Sequence, residues 1–378
     1  MLRTTPADVI VSYRFVRCTP APRFGPGGPV EAGARSAGPR GVRHALPGLL
    51  AVGVAAVLAG ARSFAAIGEW ASETPAELLA ELGASRPSES AIRRALTRVD
   101  ANVLDAVVGA FCWSRTQVVG GRRVIALDGK TVRGARTPTT PAPHLIAAFD
   151  HTAATVLGQV ATAAKSNEIP AVRDLLGLFD LEQVVVTVDA MHTQHDTAEL
   201  IVATGGDYVF TVKSNQPGLY AACKNLPWAK VSSHSAVSTG HGRRTRRTIK
   251  VLQAPAWVSF AHATQIAQIR RTVTRAGRTS VEVVYIVTSA DHRTAPPATL
   301  ASWVQRHWGI ENSLHWVRDV IFDEDRSQVR TGNAPRVMAT LRNTAISLLR
   351  LAGWRAIAAA LRHHARSPHR PVTLLLTC

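Results

Sequence analysis

Three short apolar runs, each ending abruptly on a charged side chain, constrain this chain more than any other feature. Val124–Leu127 stops at Asp128, Val184–Val188 stops at Asp189, and Tyr208–Val212 stops at Lys213. Aliphatic, largely β-branched runs without polar alternation read as strands covered on both faces. Ala171–Phe179 and His195–Ala203 carry helical patterns between them. Strands alternating with helices predict an α/β core. Two further strands, His144–Phe149 and Val156–Thr162, fall between the first and second runs. Residues 218–285 look β-rich and irregular and interrupt the alternation, and two long helices, about Ala298–Val320 and Ala334–Leu351, close the domain.

The carboxyl ends of strands are where an open α/β sheet binds its ligands. A strand-end aspartate can also simply cap the next turn, and either reading fits Asp128 or Asp189 alone. Two such residues in one sheet favour a shared cation. A third carboxylate comes from the helix through Arg306–Trp316. Trp303, Ile310, Leu314, Val317 and Ile321 form its apolar stripe, and His307, Glu311, His315 and Arg318 the opposing one. Glu311 is central on the polar face, which also reads as a solvated stripe of i,i+4 His–Glu pairs. Three distant carboxylates suit hard divalent ions, and magnesium takes one or two carboxylates with phosphate oxygens completing its shell. Two such ions promote in-line phosphoryl displacement. Lys130, Arg133, Lys213 and Arg318 are the basic groups near these acids that suit a phosphodiester. His307-x3-Glu311-x3-His315 also has zinc-ligand spacing, a competing and weaker pattern that His192 and His195 could join, although the polar start of a helix explains those two equally well.

The net charge of +18 and a pI near 11.1 predict a polyanionic partner. A hydrophobic content of 46% excludes wholesale disorder. Residues 1–43, rich in Pro, Gly and Arg, read as a disordered basic leader. Cys18, Cys112, Cys223 and Cys378 are too scattered for a CxxC metal or redox site, and a reducing cytoplasm fits them. Ala45–Ala61 is apolar throughout but short for a span, and reads as a buried helix rather than a membrane segment. Thr74-Pro75-Ala76-Glu77 has the pattern of a capping box opening a helix that stops at Gly83. Ser88 or Ser90 caps the next helix, which turns Ile92, Leu96 and Val99 inward and Arg93, Arg94, Thr97 and Arg98 outward. The pair outlines either a helix-turn-helix, with Arg93 and Arg94 on DNA, or an ordinary helical hairpin. The boundaries expected are a helical domain over 44–115, a catalytic domain over 120–352 with its insertion at about 218–285, and a basic tail over 353–378.

Ile125–Gly134 (IALDGKTVRG), His144–Asp150 (HLIAAFD), Ala164–Pro170 (AKSNEIP), Val186–Gln194 (VTVDAMHTQ), Gly206–Pro217 (GDYVFTVKSNQP) and Arg306–Asn333 together resemble one family. The sequence is similar to DDE-type insertion-sequence transposases of the IS4-like group, in the branch of the H-repeat-associated proteins of Rhs elements. The resemblance runs from about residue 41 nearly to the C-terminus. It implies an RNase H-like core with a β-rich insertion between the second and third acids, preceded by a small helical domain. Its triad falls on Asp128, Asp189 and Glu311, holding two magnesium ions, with manganese as a substitute. It implies cleavage and strand transfer at the terminal inverted repeats of an element, a homodimer on paired ends, and a cytoplasmic, nucleoid-associated protein with no membrane partner. A catalytically inactive DNA-binding remnant is the alternative. The broader group's Tyr, Arg and Lys around its Glu fall on Val304, His307 and Arg318 here, so His307 and Arg318, with Lys213 and Asn215, are candidate DNA contacts. Where similar sequences often read HGRxE, this chain has His241-Gly242-Arg243-Arg244-Thr245. Arg243, Arg244, Arg246, Arg247 and Lys250 then form a basic stretch that reads as a DNA-backbone contact or a solvated hairpin.

Overall fold

The computed structural model describes residues 44–116, 118, 121–162, 168–240 and 242–378. The leader over 1–43, His241 and residues 164–167 of the AKSNEIP segment lie outside the described residues. In chain order the elements are α1 (Leu46–Leu58), α2 (Phe64–Glu73), α3 (Ala76–Glu81), α4 (Glu89–Arg98), α5 (Ala101–Arg115), β1 (Arg123–Thr131), β2 (His144–Asp150), β3 (Val156–Thr162), α6 (Glu168–Leu176), β4 (Val184–Val188), α7 (His195–Ala203), β5 (Asp207–Val212), α8 (Pro217–Lys224), β6 (Ser233–Gly240), β7 (Arg243–Gln253), β8 (Gln265–Arg275), β9 (Arg278–Thr288), α9 (Pro297–His307), α10 (Ala334–Leu351), α11 (Ile357–His364) and α12 (His369–Thr377). They form a mixed α/β protein of two compact units. One takes the chain to residue 117 with 129–171 and 310–378; the other takes 118–128 with 172–309.

The first unit is built on two buried helices. Every residue of α1 from Gly48 to Leu58 is buried, as its all-round apolar sequence requires. It packs on α2, α4, α10 and α12. Gly48 is obligatory there, because a Cβ would meet the Gly83 carbonyl oxygen at 2.3 Å. Among the described residues, no helix is long and apolar enough to cross a membrane. Helix α10 is buried from Ala334 to Leu349 except at Arg336, and it lies against α1, α4, α5 and β3. The expected capping box is not formed. The Thr74 hydroxyl donates to the Trp70 carbonyl at 2.7 Å and closes α2, leaving Pro75 at the start of α3 without a side-chain cap. Ser88 caps α4 as expected, accepting from the Ala91 amide at 3.3 Å, and Ile92, Leu96 and Val99 are buried. In the basic segment 353–378, Ile357, Ala360, Val372 and Leu375 of α11 and α12 are buried. Strands β2 and β3 pair antiparallel, beside the end of β1.

The second unit is a sheet ordered β1-β4-β5-β9-β8-β7-β6. Its β1, β4 and β5 are parallel and its remaining pairs antiparallel. The stretch expected as an irregular insertion is a regular antiparallel meander, preceded by α8, whose last strand β9 pairs with β5 and so extends the same sheet. Val124, Val185, Val209, Ile249, Ala267, Ile286 and Leu300 form one continuous core under it. Beyond α9 the expected helix does not run on evenly. It breaks at Trp308, and Glu311–His315 and Val317–Ile321 are π-helical turns.

Candidate active site

In the sheet unit the site begins with register. Strands β1 and β4 are parallel neighbours with Leu127 opposite Val188, so Asp128 and Asp189 emerge side by side where that pairing stops; Asp189 follows the end of β4, whereas β1, expected to end at Asp128, continues to Thr131. Each is partly exposed beyond a buried strand. The Lys213 ammonium, at the end of β5, lies 3.1 Å from Asp189 Oδ1 and 6.0 Å from the Trp308 ring centre. The three charged residues that end the apolar runs therefore occupy one sheet edge.

The turn after Asp189 is stitched to the loop after β5. Asn215 donates its side-chain amide to the Ala190 carbonyl at 2.8 Å, Gln216 to Thr193 at 2.6 Å, and the Thr193 hydroxyl to Thr211 at 2.6 Å. Asn215 thus holds the backbone beside an acid. His307, from the end of α9, is buried beneath this edge, with Nδ1 2.9 Å from the Thr187 hydroxyl. That hydroxyl donates to the Ile125 carbonyl at 3.2 Å, so it accepts from the ring and leaves Nε2 as the imidazole's acceptor. Burial lowers the His307 pKa; Asp128 and Asp189 pull it back up, and His192 and Lys213 push it down again. The net direction favours a neutral ring. His307 is therefore an internal group behind the carboxylates rather than a surface contact.

In the helical unit, Glu311 is exposed on its π-helical turn, 3.7 Å from the Nδ1 of the buried His315. The polar stripe is mostly interior and does not match the alternative of a solvated face, since His315 and Arg318 are also buried. An α-helical spacing of three and four misassigns faces across a break and π turns. The zinc pattern over His307, Glu311 and His315 rests on the same unbroken helix. Arg318 corrects the expectation of a phosphate contact. It is wholly buried, with Nε 3.1 Å and Nη2 2.7 Å from Glu324, which also receives Arg342 at 2.9 Å. Desolvation pushes the Glu324 pKa up, but the two guanidiniums more than offset it and hold the carboxyl at about 2. Lys130 is likewise buried, its ammonium on Asp319. Arg133 is well exposed and 3.5 Å from Asp325.

Sequence reasoning missed the pair under the strand end. Gly129, directly after Asp128, packs against His144 and Glu168, whose Nε2 and Oε1 are 2.9 Å apart, and a Cβ there would fall 2.5 Å from the imidazole. Both belong to quoted segments, HLIAAFD and AKSNEIP, and a buried-strand histidine was the available signal. On α4, Arg93 pairs with Glu89 and lies over Phe64, 5.5 Å from the ring centre, while Arg94 is exposed. Arg243, Arg244 and Arg246 are exposed on β7, and Arg247 is partly buried.

Acids paired at a sheet edge, with a lysine beside them, are the arrangement from which the chain's class can be stated. Residues 119–348 match the model of the transposase DDE domain, and residues 35–112 match that of the associated DDE_Tnp_1 domain. The chain belongs to the DDE transposase family. It is 32% identical to "Putative transposase YncI" of Escherichia coli O157:H7, over 82% of this chain and 83% of that one. It is 31% identical to "H repeat-associated putative transposase YhhI" of Escherichia coli K12, over 82% and 85%. Among solved structures, a piggyBac transposase synaptic complex with hairpin DNA aligns over 87% of this chain and 71% of its own, with 13% identity and a TM-score of 0.41; at that level the likeness adds nothing to the assignment.

Proposed function

We propose that this protein cleaves DNA at the ends of an insertion element and joins the freed 3′ hydroxyls to target DNA. The single observation that carries the reading is the side-by-side placement of Asp128 and Asp189 on adjacent parallel strands in a chain of this family. The parallel strands β1, β4 and β5 of the one unit and the antiparallel β2–β3 pair of the other are the strand types an RNase H-like core calls for. Asp128, Asp189 and Glu311 are proposed as the metal-binding acids. Their donors are hard carboxylate oxygens, partly exposed, which fits magnesium or manganese. Divalent ions, when bound, supply the charge that activates an attacking oxygen and stabilises a leaving one in an in-line displacement.

The chain's own groups have distinct tasks in this reading. Lys213 offsets the charge of Asp189, and with divalent ions held by the acids its ammonium would be available to offset the charge of a phosphate oxygen. His307, uncharged and fixed by Thr187, keeps a second positive charge away from the cation site. The Asn215 and Gln216 amides hold the turn after Asp189 against motion. Cleavage breaks the P–O3′ bond as water oxygen bonds to phosphorus; in transfer the freed 3′ hydroxyl attacks a target phosphorus and displaces its O3′. The basic surface, including Arg93, Arg94, Arg243 and Arg247, is proposed to bind the ends, and a homodimer to pair them.

The test is incubation of wild-type and Asp128→Asn protein with DNA carrying candidate element ends in Mg²⁺, with strand breaks mapped. Metal-dependent breaks at the ends by wild type, abolished in the variant while DNA binding persists, support the proposal. Breaks at the normal rate in Asp128→Asn overturn the assignment of that residue. Salt-sensitive DNA binding with no cleavage by wild type identifies the binding remnant instead.

A further inference from the structure

The basic stretch on β7 is two surfaces, because alternate residues of a strand face opposite sides of the sheet. Register separates them. Arg243 lies opposite Arg275 on β8, which lies opposite Arg278 on β9. Four residues further along the same face, Arg247 lies opposite Arg271, which lies opposite Glu282. The two rows are about 13 Å apart at the usual rise of a strand. Five arginines therefore share one face with a single carboxylate, 3.6 Å from Arg271. Beside the arginines, β6 carries Gly240, Ser238 and Ala236 on that face, a low ledge, with His234 beyond them opposite Ile249.

The other face is different in kind. Arg246 stands between Val237 and Thr272, with Val281 next in the row, and Arg244 between Thr239 and Thr274. Arg270 has Thr248 on one side and Val283 on the other. No arginine there is directly opposite another.

Like charges directly opposite in an antiparallel pair have Cβ atoms about 4.5–5.5 Å apart and repel. Arg247 feels this: partial burial, then Arg271 and Arg243, hold its guanidinium below the usual value. The hairpin brings Arg275 and Arg278 together through a two-residue turn with both central residues left-handed, Ala276 at φ 47° and Gly277 at φ 74°. A run of phosphates relieves such repulsion and releases counterions as it binds.

We infer that the face bearing Arg243, Arg247, Arg271, Arg275 and Arg278 is a backbone-binding surface for duplex DNA, and that the Arg244–Arg246–Arg270 face is not. The inference deepens the proposed function, on whose DNA substrate it rests. It assigns Arg271, Arg275 and Arg278, which the linear basic stretch does not contain, and removes Arg244 and Arg246.

Two charge-matched triple variants of the full chain test it. One is Arg247→Gln/Arg271→Gln/Arg275→Gln, the other Arg244→Gln/Arg246→Gln/Arg270→Gln. Fluorescence anisotropy with a labelled duplex, across a salt series, gives Kd and its salt slope, and circular dichroism verifies folding. The first variant is expected to lose about tenfold or more in affinity near 100 mM salt, with the log–log slope shallower by about 2.7 for three lost phosphate contacts. The second is expected to lose distinctly less and to keep its slope. Equal losses and equal slopes for the two variants overturn the inference, as does a first variant with an unchanged slope. If either triple variant misfolds, the single Arg275→Gln and Arg244→Gln proteins give the same comparison, with an expected slope change of about 0.9 against none. Wild-type protein that binds no duplex refutes the proposed substrate instead, and binding without cleavage leaves the two faces distinguishable.

Discussion

Substituting Glu324 probes the most concentrated electrostatic arrangement in the helical unit. Its carboxylate is fully buried and accepts from Arg318 at 2.7 and 3.1 Å and from Arg342 at 2.9 Å. Glu324→Ala leaves two buried guanidiniums facing each other, and removing one partner of a buried ion pair costs about 3–5 kcal/mol. The pKa gives an independent figure. The folded carboxyl titrates at about 2 against an ordinary 4.5, a gap equivalent to about 3 kcal/mol at 1.36 kcal/mol per unit. Between those values the unfolded carboxyl binds a proton that the folded one refuses. The contribution is therefore complete above pH 4.5 and is lost as pH falls towards 2. Burial also depresses the Arg342 pKa, so the triad as a whole stabilises less than loss of its centre destabilises. Replacing all three residues, as Arg318→Met/Glu324→Leu/Arg342→Met, should recover most of the loss. Urea denaturation of wild type, Glu324→Ala and the triple variant at pH 7, repeated at pH 3, measures each quantity. A Glu324→Ala protein within 1 kcal/mol of wild type at pH 7 would refute this reasoning.

Two further predictions concern the same unit. Burial raises the Asp105 pKa to about 7, although Thr340, Arg336 and Gln159 pull it down. Its neutral form is thus favoured by folding, and that stabilisation, complete below the ordinary 3.8, is lost as pH rises through 7. Asp105→Asn should match wild type near pH 4 and exceed it by up to about 4 kcal/mol at pH 8; urea titrations showing parallel pH dependence for the two proteins would contradict this. Gly109 brings α5 against β3, where a Cβ would lie 2.2 Å from the Leu157 carbonyl oxygen. Gly109→Ala should cost about 1–3 kcal/mol through overpacking, read as a lower thermal midpoint, and an unchanged midpoint would show that the contact yields freely.

The sheet was legible because its strands are buried on both sides: Val184–Val188 and Val156–Thr162 match the observed strands residue for residue, and the two aspartates follow from where apolar character stops. The meander over β6–β9 was legible as β-structure but not as part of the same sheet, since strand order is set by the pairing of β9 with β5 across a long sequence separation. Thr74 misled because a threonine before proline suits the end of one helix as well as the start of another, and its hydroxyl found the Trp70 carbonyl first. Arg318 misled because helical spacing assumes an unbroken α-helix, whereas π turns follow Trp308. Nothing local marks Arg342 as its partner: an arginine in a helix reads as solvent-facing until Glu324 is brought to it. The arginine face was invisible in one dimension, because Arg271, Arg275 and Arg278 join Arg243 and Arg247 only through register.

Asp128 and Asp189 are proposed to act on a common cation. Mn²⁺ binding by wild type, Asp128→Asn, Asp189→Asn and the double variant, measured by titration calorimetry, forms a thermodynamic cycle. If the cation is shared, each single substitution removes nearly as much affinity as both together. Losses that simply add, or a single variant that binds as wild type does, would contradict it.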